Sequence, residues 1–599
     1  MMHVVATAGH VDHGKSTLVR ALTGMEPDRL AEERRRGLTI ELGYAWTTLP
    51  SGARLALVDV PGHERFLATM LAGVGPVPAA MIVVAADEGW MPQSEEHLVA
   101  LEALGVRHLL LVVTRADLAD PGPATIEARA RLAAGGLSGV ETVTVSGRTG
   151  AGLPGLLDAL DRLVARLPPA DDSAPVRLWV DRAFTVKGSG TVVTGTLPAG
   201  RITVGDELVL DGTPVRIRGL QALKEQVESV TGVARVAANL RGSFDRGTAL
   251  ITPSGWTETD LVDVRLSPAG PGTTGTAGTA ASVAPMPGEV TAHIGSAAVS
   301  CQVRPLGKDT ARLRLSRALP LHVGDVLLLR DPGRARDRLR VLAGATVLDV
   351  RPPPLRRRGA ASERATQLAD APGAEFLLRT HRFLRTAELA AMGVVPPREA
   401  VAGDWHADPA LWAALPARLA VAVREHGAAH PLDPGMPVEA ARRVLDLPDR
   451  RLVHALIRAP LAVTGGRIVT EVPVLPRPVA AAVDRVRAEL AADPFRAPDA
   501  DRLAALGLGP KEMAAAARAG ALLRLAPGVV LLPGADRRAA ALLAELPQPF
   551  TVSQARQALG TSRRVAVPLL EHLDRLRLTV CLDDGRRRCA AYDADVPPE

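Results

Sequence analysis

Near the start of the chain, residues 9–16 have the spacing of a phosphate-binding loop: a glycine, four further residues, then Gly-Lys-Ser. Residues 4–6 before the loop are typical of a strand, and residues 17–22 after it are typical of a helix. This order would place backbone N–H groups and a helix N-terminus around an anion. Lys15 could reach the β- and γ-phosphates of a nucleotide, and Ser16 could ligate Mg²⁺. A chance glycine-rich turn is the alternative.

Two further motifs could complete a metal and phosphate site. Asp59 ends a strand and is followed by Val-Pro-Gly, so its carboxylate could meet Mg²⁺ through water while the N–H of Gly62 bonds the γ-phosphate. Thr39 lies between the two motifs, where a mobile segment could close the metal shell. Taken singly, Asp59 would be a solvated turn residue and Thr39 a strand threonine.

A third motif, Thr-Arg-Ala-Asp at residues 114–117, follows an apolar strand at 109–113. The carboxylate of Asp117 could accept hydrogen bonds from N1–H and the exocyclic amine of guanine, an edge that adenine lacks. Ser146-Gly147 could offer a backbone N–H to the guanine carbonyl. GTP or GDP with Mg²⁺ is therefore the predicted ligand. The candidate nucleotide-binding residues are Gly9, His10, Val11, Asp12, His13, Gly14, Lys15, Ser16, Thr17, Asp59, Gly62, Thr114, Arg115, Asp117, Ser146 and Gly147, and the candidate metal ligands are Ser16, Thr39 and Asp59.

Length and composition limit the number of domains, the kind of partner and the cellular compartment. The 599 residues predict about four or more domains, and the net charge of +6 is compatible with an anionic partner. Three cysteines without paired spacing favour a reduced compartment. The start of the chain shows no basic and apolar leader, and no run of about 18 apolar residues occurs. We expect a cytoplasmic protein that does not span a membrane, and nothing in the sequence demands more than a monomer.

The elements that must position these motifs change character along the chain. Alternating strands and helices come first and predict an α/β P-loop domain, and two stretches of short strands predict antiparallel β-barrels. The helical remainder has a weak repeat of about 60 residues, in which three helices precede a two-stranded wing. That plan predicts winged-helix (α+β) modules, with generic α+β modules as the alternative. The predicted domains are 1–170, barrels 175–255 and 257–350, and modules 360–410, 411–475, 476–534 and 535–599.

The motifs together resemble those of a known family. The phosphate loop, Arg-Gly-Leu-Thr-Ile at 36–40, Asp-Val-Pro-Gly-His-Glu at 59–64 and residues 114–117 are similar to the set that translational GTPases share with EF-Tu. The whole chain most resembles the selenocysteine-specific elongation factor (SelB) family. Its specific marks are residues 41–45, 87–93, 181–188 and 562–571. The chain departs from the family at Arg115, where lysine is usual, and at Gly147, where alanine is usual.

The resemblance implies two sites beyond the nucleotide. His63 would orient the water that attacks GTP once the ribosome presents its catalytic RNA. The alternative is that His63 is an exposed loop residue without a catalytic role. Tyr44, Asp181, Arg182 and Arg235 would form a basic pocket for the selenocysteyl side chain. A selenol is more acidic than a thiol, and a serine hydroxyl stays neutral, so such a pocket could discriminate by charge. Ordinary surface ion pairs on the barrel are the alternative.

Arginines of the last module form a third candidate site. Arginine suits forked contacts with phosphates and base edges. The resemblance implies that this module binds the selenocysteine insertion hairpin of the mRNA, although a charged helix face is more often only solvated. The candidate RNA-binding residues are Arg556, Arg563, Arg564, Arg586 and Arg587.

The expected function is GTP-dependent delivery of selenocysteyl-tRNA to the ribosome at UGA codons marked by that hairpin. Two alternatives stay open. A general tRNA carrier or initiation-type translational GTPase would keep the GTP-binding domain without needing the helical arm or the basic pocket. A nucleic-acid-binding regulator that only senses GTP would explain winged helices but not His63 or the pocket.

Overall fold

The structure is a computed structural model. It describes residues 2–27, 39–186, 190–242, 244, 247–268, 286–331, 333, 340–369, 373–431, 435–470 and 475–590. Motif residues 36–38 and 187–188, and the end of the last predicted module at 591–599, lie outside this description. The chain forms two compact units, Met1–Ala400 and Val401–Glu599. Among the described residues, no helix is long and apolar enough to cross a membrane.

The first domain of unit 1 is a six-stranded sheet with helices on both faces. The strand order is β2-β3-β1-β4-β5-β6; only β2 runs antiparallel to its neighbour. Its elements are β1 (Met2–Ala8), α1 (Lys15–Thr23), β2 (Gly43–Thr48), β3 (Arg54–Asp59), α2 (Leu67–Val74), β4 (Ala79–Ala85), α3 (Pro92–Ala103), β5 (His108–Thr114), α4 (Pro121–Ala134), β6 (Glu141–Thr144) and α5 (Leu153–Ala165). A 3₁₀ turn, Glu64–Phe66, precedes α2.

Alternation along the strands explains the three layers. Val4 and Ala6 pack with residues of α2, α3 and α4, whereas Val5 between them packs with residues of α1 and α5. Neighbouring side chains on a strand point to opposite faces, so these apolar runs are covered on both sides. The carboxyl ends of β1, β3 and β5 therefore meet at one edge of the sheet, where ligands bind in open α/β folds. The three predicted motifs begin at this edge.

The second domain consists of short antiparallel strands around one apolar core. They form three sheets, β10-β15, β12-β11-β17-β7 and β14-β13-β16-β9-β8, rather than one continuous barrel. Tight turns interrupt the strands, for example at Leu223 and Lys224, which both have positive φ. The strands are β7 (Arg177–Trp179), β8 (Arg182–Val186), β9 (Gly190–Leu197), β10 (Arg201–Thr203), β11 (Glu207–Leu210), β12 (Thr213–Arg216), β13 (Gly219–Ala222), β14 (Glu225–Val227), β15 (Ser229–Thr231), β16 (Ala234–Leu240) and β17 (Ala249–Ile251).

The third domain is a closed antiparallel barrel, as the short strands of this region predict. The strand order around the barrel is β18-β21-β20-β19-β22-β23. Buried leucines and valines of all six strands fill its interior. The strands are β18 (Thr257–Pro268), β19 (Glu289–Ile294), β20 (Ala297–Pro305), β21 (Thr310–Leu321), β22 (Val326–Arg330) and β23 (Val341–Asp349).

The segment that follows the barrel differs from the predicted module at 360–410. Its elements up to residue 391 are α6 (Ala360–Gln367), α7 (Ala374–His381), β24 (Phe383–Arg385) and α8 (Thr386–Ala391). Phe376 and Leu377 of α7 and Leu389 of α8 belong to the same apolar core as the barrel. The two units divide at residue 400, inside the predicted module. Residues 360–391 therefore form part of the third domain's core.

A buried charge cluster explains why α6 packs against the barrel. Arg364 is 2% exposed, and its guanidinium donates to Asp263 at 2.7 Å and to Asp349 at 2.5 Å. Arg312 donates to both oxygens of Asp263, at 2.7 and 3.0 Å. Both aspartates lie on barrel strands and are fully buried. Buried carboxylates need such partners, because an uncompensated buried charge is strongly unfavourable.

In the part of unit 2 that the structure describes, the helices form three groups, each followed by paired strands. The first group comprises β25 (Trp405–Ala407), α9 (Pro409–Ala429), β26 (Met436–Pro437), α10 (Val438–Val444), α11 (Arg450–Leu456), β27 (Leu461–Thr464) and β28 (Arg467–Thr470). The second comprises α12 (Arg477–Ala492), α13 (Ala500–Ala505), α14 (Pro510–Arg518), β29 (Leu523–Ala526) and β30 (Val529–Leu531). The third comprises α15 (Ala535–Ala544), α16 (Val552–Ala558), α17 (Arg563–Arg575), β31 (Thr579–Cys581) and β32 (Arg587–Cys589). The second and third groups share one apolar core.

We predict that Arg364→Met destabilises unit 1 by about 3–5 kcal/mol, because Asp349 and one side of Asp263 would stay buried without their cation. Denaturant unfolding of the full chain, followed by tryptophan fluorescence, measures this loss. Arg357→Gln is the matched control, since it removes an exposed pair with Glu363 and should change stability by less than about 1 kcal/mol. Equal effects of the two substitutions would contradict the structural role of Arg364.

Candidate functional site

The phosphate loop joins β1 to α1 and depends on two glycines with positive φ. Gly9 has φ 135°, and a Cβ there would lie 2.2 Å from the carbonyl oxygen of Val83. Gly14 has φ 77° and is the N-cap of α1; its carbonyl accepts the helix's first hydrogen bond, from Leu18 N at 2.8 Å. Lys15 is buried and donates to the carbonyls of Gly9 at 3.0 Å and His10 at 2.6 Å. The loop therefore has the closed backbone curvature and inner cation of an anion site.

Ser16, Thr39 and Asp59 converge, although they come from three separate parts of the chain. The Ser16 hydroxyl donates to Asp59 Oδ2 at 2.6 Å and lies 2.9 Å from Thr39 Oγ1. The other oxygen of Asp59 accepts from Thr7 at 2.9 Å, which fixes the carboxylate. Two hydroxyls and a carboxylate are hard oxygen ligands of the kind that Mg²⁺ uses beside nucleotide phosphates. The three predicted metal residues thus fit a magnesium ion.

Gly62 lies directly against the phosphate loop. A Cβ on this residue would lie 2.5 Å from Val11 N and 2.7 Å from His10 C. These are backbone atoms that cannot yield as a side chain would, so only glycine fits without displacing the loop. The position brings the Gly62 main chain beside the site expected for the terminal phosphate.

His63, in contrast, does not line the nucleotide cavity among the described residues. Its Nδ1 accepts from Arg65 N at 3.2 Å, and its ring centre lies 6.0 Å from that of Phe66. The catalytic assignment of His63 stays a prediction.

The predicted guanine-binding residues surround the other end of the site. Asp117 is exposed, and its pKa lies below the usual range because the Ser146 side chain hydrogen-bonds to the carboxylate. The Thr114 hydroxyl donates to the carbonyl of His13 at 2.8 Å. Gly147 lies beside α1, where a Cβ would contact Thr17 Cγ2 at 3.3 Å. Asp117 is therefore available as an anionic hydrogen-bond acceptor for a base.

Arg115, which replaces the usual lysine, connects three loops. It donates to Asp87 Oδ2 at 2.9 Å, to Glu88 Oε1 at 2.8 Å and to the carbonyl of Asp12. A lysine ammonium cannot match a forked guanidinium that reaches several acceptors at once. Arg115 thus links the phosphate loop to the segment at 87–88. This contact was not predicted from the sequence.

These residues enclose a cavity of about 620 Å³, large enough for a nucleotide. Its lining residues are Val11, Asp12, Gly14, Lys15, Ser16, Thr17, Leu18, Arg20, Glu26, Thr39, Gly62, Thr114, Arg115, Asp117, Leu118, Gly147 and Arg148. Leu18, Arg20, Glu26, Leu118 and Arg148 are additions to the predicted set.

Two buried histidines support the loop. His97 was not among the predicted site residues, and His13, which was predicted to bind the nucleotide, is not among the described residues that line the cavity. His97 of α3 accepts a hydrogen bond from Gly9 N at 2.9 Å, and burial lowers the pKa of its ring to about 3. Burial likewise lowers the pKa of His13 to about 4, and its Nδ1 lies 3.2 Å from the carbonyl oxygen of Val83. Both rings are therefore neutral at physiological pH. The only sequence signal for His97 was its position shortly after residues 87–93.

The four residues of the predicted basic pocket also meet, between the first and second domains. Tyr44 lies on β2, and the guanidinium carbons of Arg235 and Arg182 lie 3.9 and 5.8 Å from its ring centre. Burial raises the pKa of the Tyr44 phenol. A small cavity of about 190 Å³ opens beside them; Phe184, which is 45% exposed, and Lys224 also line it.

The two arginines of this pocket differ in their counter-ions. Arg235 is 10% exposed and donates to both oxygens of Asp181, in one case at 3.1 Å, and to Thr196. Arg182 reaches Glu41 Oε2 at 3.0 Å and the carbonyl of Leu42 at 3.3 Å. The charge of the predicted basic pocket therefore comes mainly from Arg182, because Asp181 already neutralises Arg235.

The five candidate arginines of the last module separate into two groups. Arg556, Arg563, Arg564 and Arg586 are exposed, so the groups differ in their contacts. Arg564 donates to the carbonyls of Ala497, Pro498 and Gly528 in the preceding module, at 2.8 to 3.1 Å. Arg587 is 12% exposed and donates to Asp574 at 2.9 Å. Arg564 and Arg587 therefore hold structure together, a role that a charge count cannot distinguish from ligand binding.

Comparisons with known proteins add independent findings. Residues 2–166 match the family "Elongation factor Tu GTP binding domain", and residues 541–588 match "Elongation factor SelB, winged helix". A selenocysteine-specific elongation factor of Desulfomicrobium baculatum is 35% identical over 415 residues, which are 65% of this chain and 63% of that protein. The Escherichia coli K12 protein of the same name is 39% identical over 365 residues, or 59% of this chain and 56% of its own. The chain thus spans about three fifths of these relatives' length.

A solved structure covers more of the chain. The crystal structure of a bacterial selenocysteine-specific elongation factor, EF-Sec, superposes with a TM-score of 0.76. The alignment covers 98% of this chain and 100% of that one, at 25% identity. The likeness therefore extends through both units of the chain.

We predict that the stability of unit 1 falls as the pH is lowered from about 6.5 toward 3. In that window the unfolded chain protonates His97, whose ordinary pKa is about 6.5, while the folded chain keeps it neutral. The stabilisation is fully present above pH 6.5. His97→Gln should reduce the slope of the unfolding free energy against pH in this window, by an amount that corresponds to at most one bound proton. Unfolding midpoints between pH 4 and 7 measure it, with exposed His454→Gln as control; parallel curves for wild type and His97→Gln would contradict the prediction.

Proposed function

The chain belongs to the selenocysteine-specific elongation factor (SelB) family of translational GTPases, and from that premise we propose that it delivers selenocysteyl-tRNA to the ribosome. Delivery would occur at UGA codons marked by a hairpin in the mRNA. The observation that carries the proposal is the composite pocket, in which Tyr44 of the first domain meets Asp181, Arg182 and Arg235 of the second. A carrier of ordinary aminoacyl-tRNAs has no evident need for this charge arrangement.

The first domain would bind and hydrolyse GTP. Lys15 would leave the loop carbonyls to meet the β- and γ-phosphates, Gly62 would donate its N–H, and Asp117 would accept from the guanine. Ser16, Thr39 and Asp59 would hold Mg²⁺, which neutralises charge on the phosphates when bound. His63 would turn toward the attacking water only when the ribosome is engaged, consistent with its position outside the cavity in this structure.

One short segment, residues 39–44, would transmit the change from GTP to GDP to the aminoacyl pocket. Thr39 contacts Ser16, and five residues later Tyr44 contributes its ring to the pocket. Glu41 and Leu42 between them accept hydrogen bonds from Arg182 of the second domain. Loss of the γ-phosphate would release Thr39 and with it this wall of the pocket, so the aminoacyl group would be freed after hydrolysis.

We predict that the GTP-bound protein binds selenocysteyl-tRNA about tenfold or more tightly than seryl-tRNA on the same tRNA body. The reason is that a hydrogen bond to a charged group contributes about 1.5–3 kcal/mol and the serine hydroxyl is neutral. Equilibrium binding with a non-hydrolysable GTP analogue measures the ratio. Arg182→Gln should lower affinity for the selenocysteyl form and leave seryl-tRNA within about twofold. Equal wild-type affinities would contradict the proposal and favour a general tRNA carrier.

We predict that Arg563→Gln weakens binding of the mRNA hairpin and lowers the slope of log K against log salt by about 0.7–0.9, as loss of one phosphate contact does. Arg564→Gln should instead lower the melting temperature of unit 2, because its guanidinium binds backbone carbonyls of the neighbouring module. Exposed Arg537→Gln on α15 is the charge-matched control. Filter binding over a salt series and thermal unfolding give the two readouts. An unchanged hairpin affinity for Arg563→Gln would place the RNA site elsewhere.

A further inference from the structure

Glu41 does not line the pocket cavity itself but is the counter-ion of Arg182, which does. Its carboxylate accepts a hydrogen bond from Arg182 Nη2 at 3.0 Å, across the boundary between the first and second domains. The contact is open to water, since 28% of the Arg182 side chain and 51% of the Glu41 side chain are exposed. A solvent-exposed pair held by one close contact is weak and exchangeable.

The neighbouring arginine is held very differently. Arg235 and Asp181 are 10% and 3% exposed, and the carboxylate also accepts from Thr194 at 2.8 Å. Removing Asp181 from Arg235 would leave a buried charge without compensation. Of the two guanidiniums beside Tyr44, only that of Arg182 therefore has a counter-ion that an incoming ligand can replace at small cost.

We propose that Glu41 is an internal competitor for Arg182 and that an anionic aminoacyl side chain must displace it to complete binding. The inference rests on the proposed function of the pocket and adds a residue that sets its affinity and its selectivity for anions. An ionised selenol regains the attraction that Arg182 loses on leaving Glu41. A neutral hydroxyl does not, because charge-assisted hydrogen bonds are about twice as strong as neutral ones. The half-exposed Glu41 can then turn into solvent.

The charged surroundings are compatible with such an exchange. Lys224 also lines the cavity, and its ammonium is 5.3 Å from the ring centre of Trp46. Asp181 remains neutralised by Arg235. The anion that replaces Glu41 would thus meet cations and an aromatic ring, and no carboxylate is among the described residues that line the cavity.

The test compares full-length wild type and Glu41→Gln, both loaded with a non-hydrolysable GTP analogue. Removal of the competing charge should tighten selenocysteyl-tRNA binding by about two- to fivefold and leave seryl-tRNA unchanged. In an Arg182→Gln background, Glu41→Gln should have no further effect on selenocysteyl-tRNA. Glu41→Ala, which removes the carboxylate altogether, should reproduce the change in ratio.

Glu228→Gln is the matched control, because it removes an exposed carboxylate of the second domain that does not line the pocket. Any change it causes through net charge should be equal for both tRNAs. If wild type prefers selenocysteyl-tRNA but Glu41→Gln shifts both affinities equally or weakens the selenocysteyl form, the competitor role is overturned and the proposed function survives. If wild type shows no preference, the proposed function itself fails.

Discussion

The hydrogen-bonded cluster of Ser16, Thr39 and Asp59 is the constraint on which the rest of unit 1 depends. It joins the start of α1, the end of β3 and the segment before β2 within 2.6 to 2.9 Å. A carboxylate and two hydroxyls at such distances satisfy one another here and could equally satisfy a hard cation. Because Thr39 is held at this point, the chain enters β2 in a register that presents Tyr44 to the second domain.

Charged pairs then set how the domains of unit 1 meet. Arg54 of β3 pairs with Glu225 of β14 through two hydrogen bonds of 2.8 and 2.9 Å. Arg177 of β7 reaches Asp325, beside the third-domain barrel, at 2.5 and 2.7 Å. The exposed Arg54–Glu225 pair is screened by water, and desolvation offsets much of the attraction in the more buried Arg177–Asp325 pair, so both add little net stability. The domain contacts therefore have defined partners as well as apolar surface.

The convergence of the candidate nucleotide-binding motifs was largely predictable, because they are short motifs at the ends of apolar strands and parallel strands present those ends at one edge. The supporting residues were not. His97 contacts Gly9 across 88 positions of sequence, and Arg115 binds Asp87 and Glu88 through a loop contact that no local pattern reports. Likewise, the sequence marked Arg563 and Arg564 as one basic pair, whereas in the fold both are exposed and Arg564 donates to backbone carbonyls of the preceding module.

By itself, the sequence determined the α/β domain, the β-rich middle and the helical arm, and it indicated the candidate phosphate, metal and base motifs. These follow from spacing and periodicity, which are local properties. Tertiary structure alone decided that residues 360–391 share the core of the barrel, that Asp181 neutralises Arg235, and that Glu41 holds Arg182. Which charges become partners depends on which surfaces are brought together and how far water is excluded there. That information is not local to any stretch of the chain.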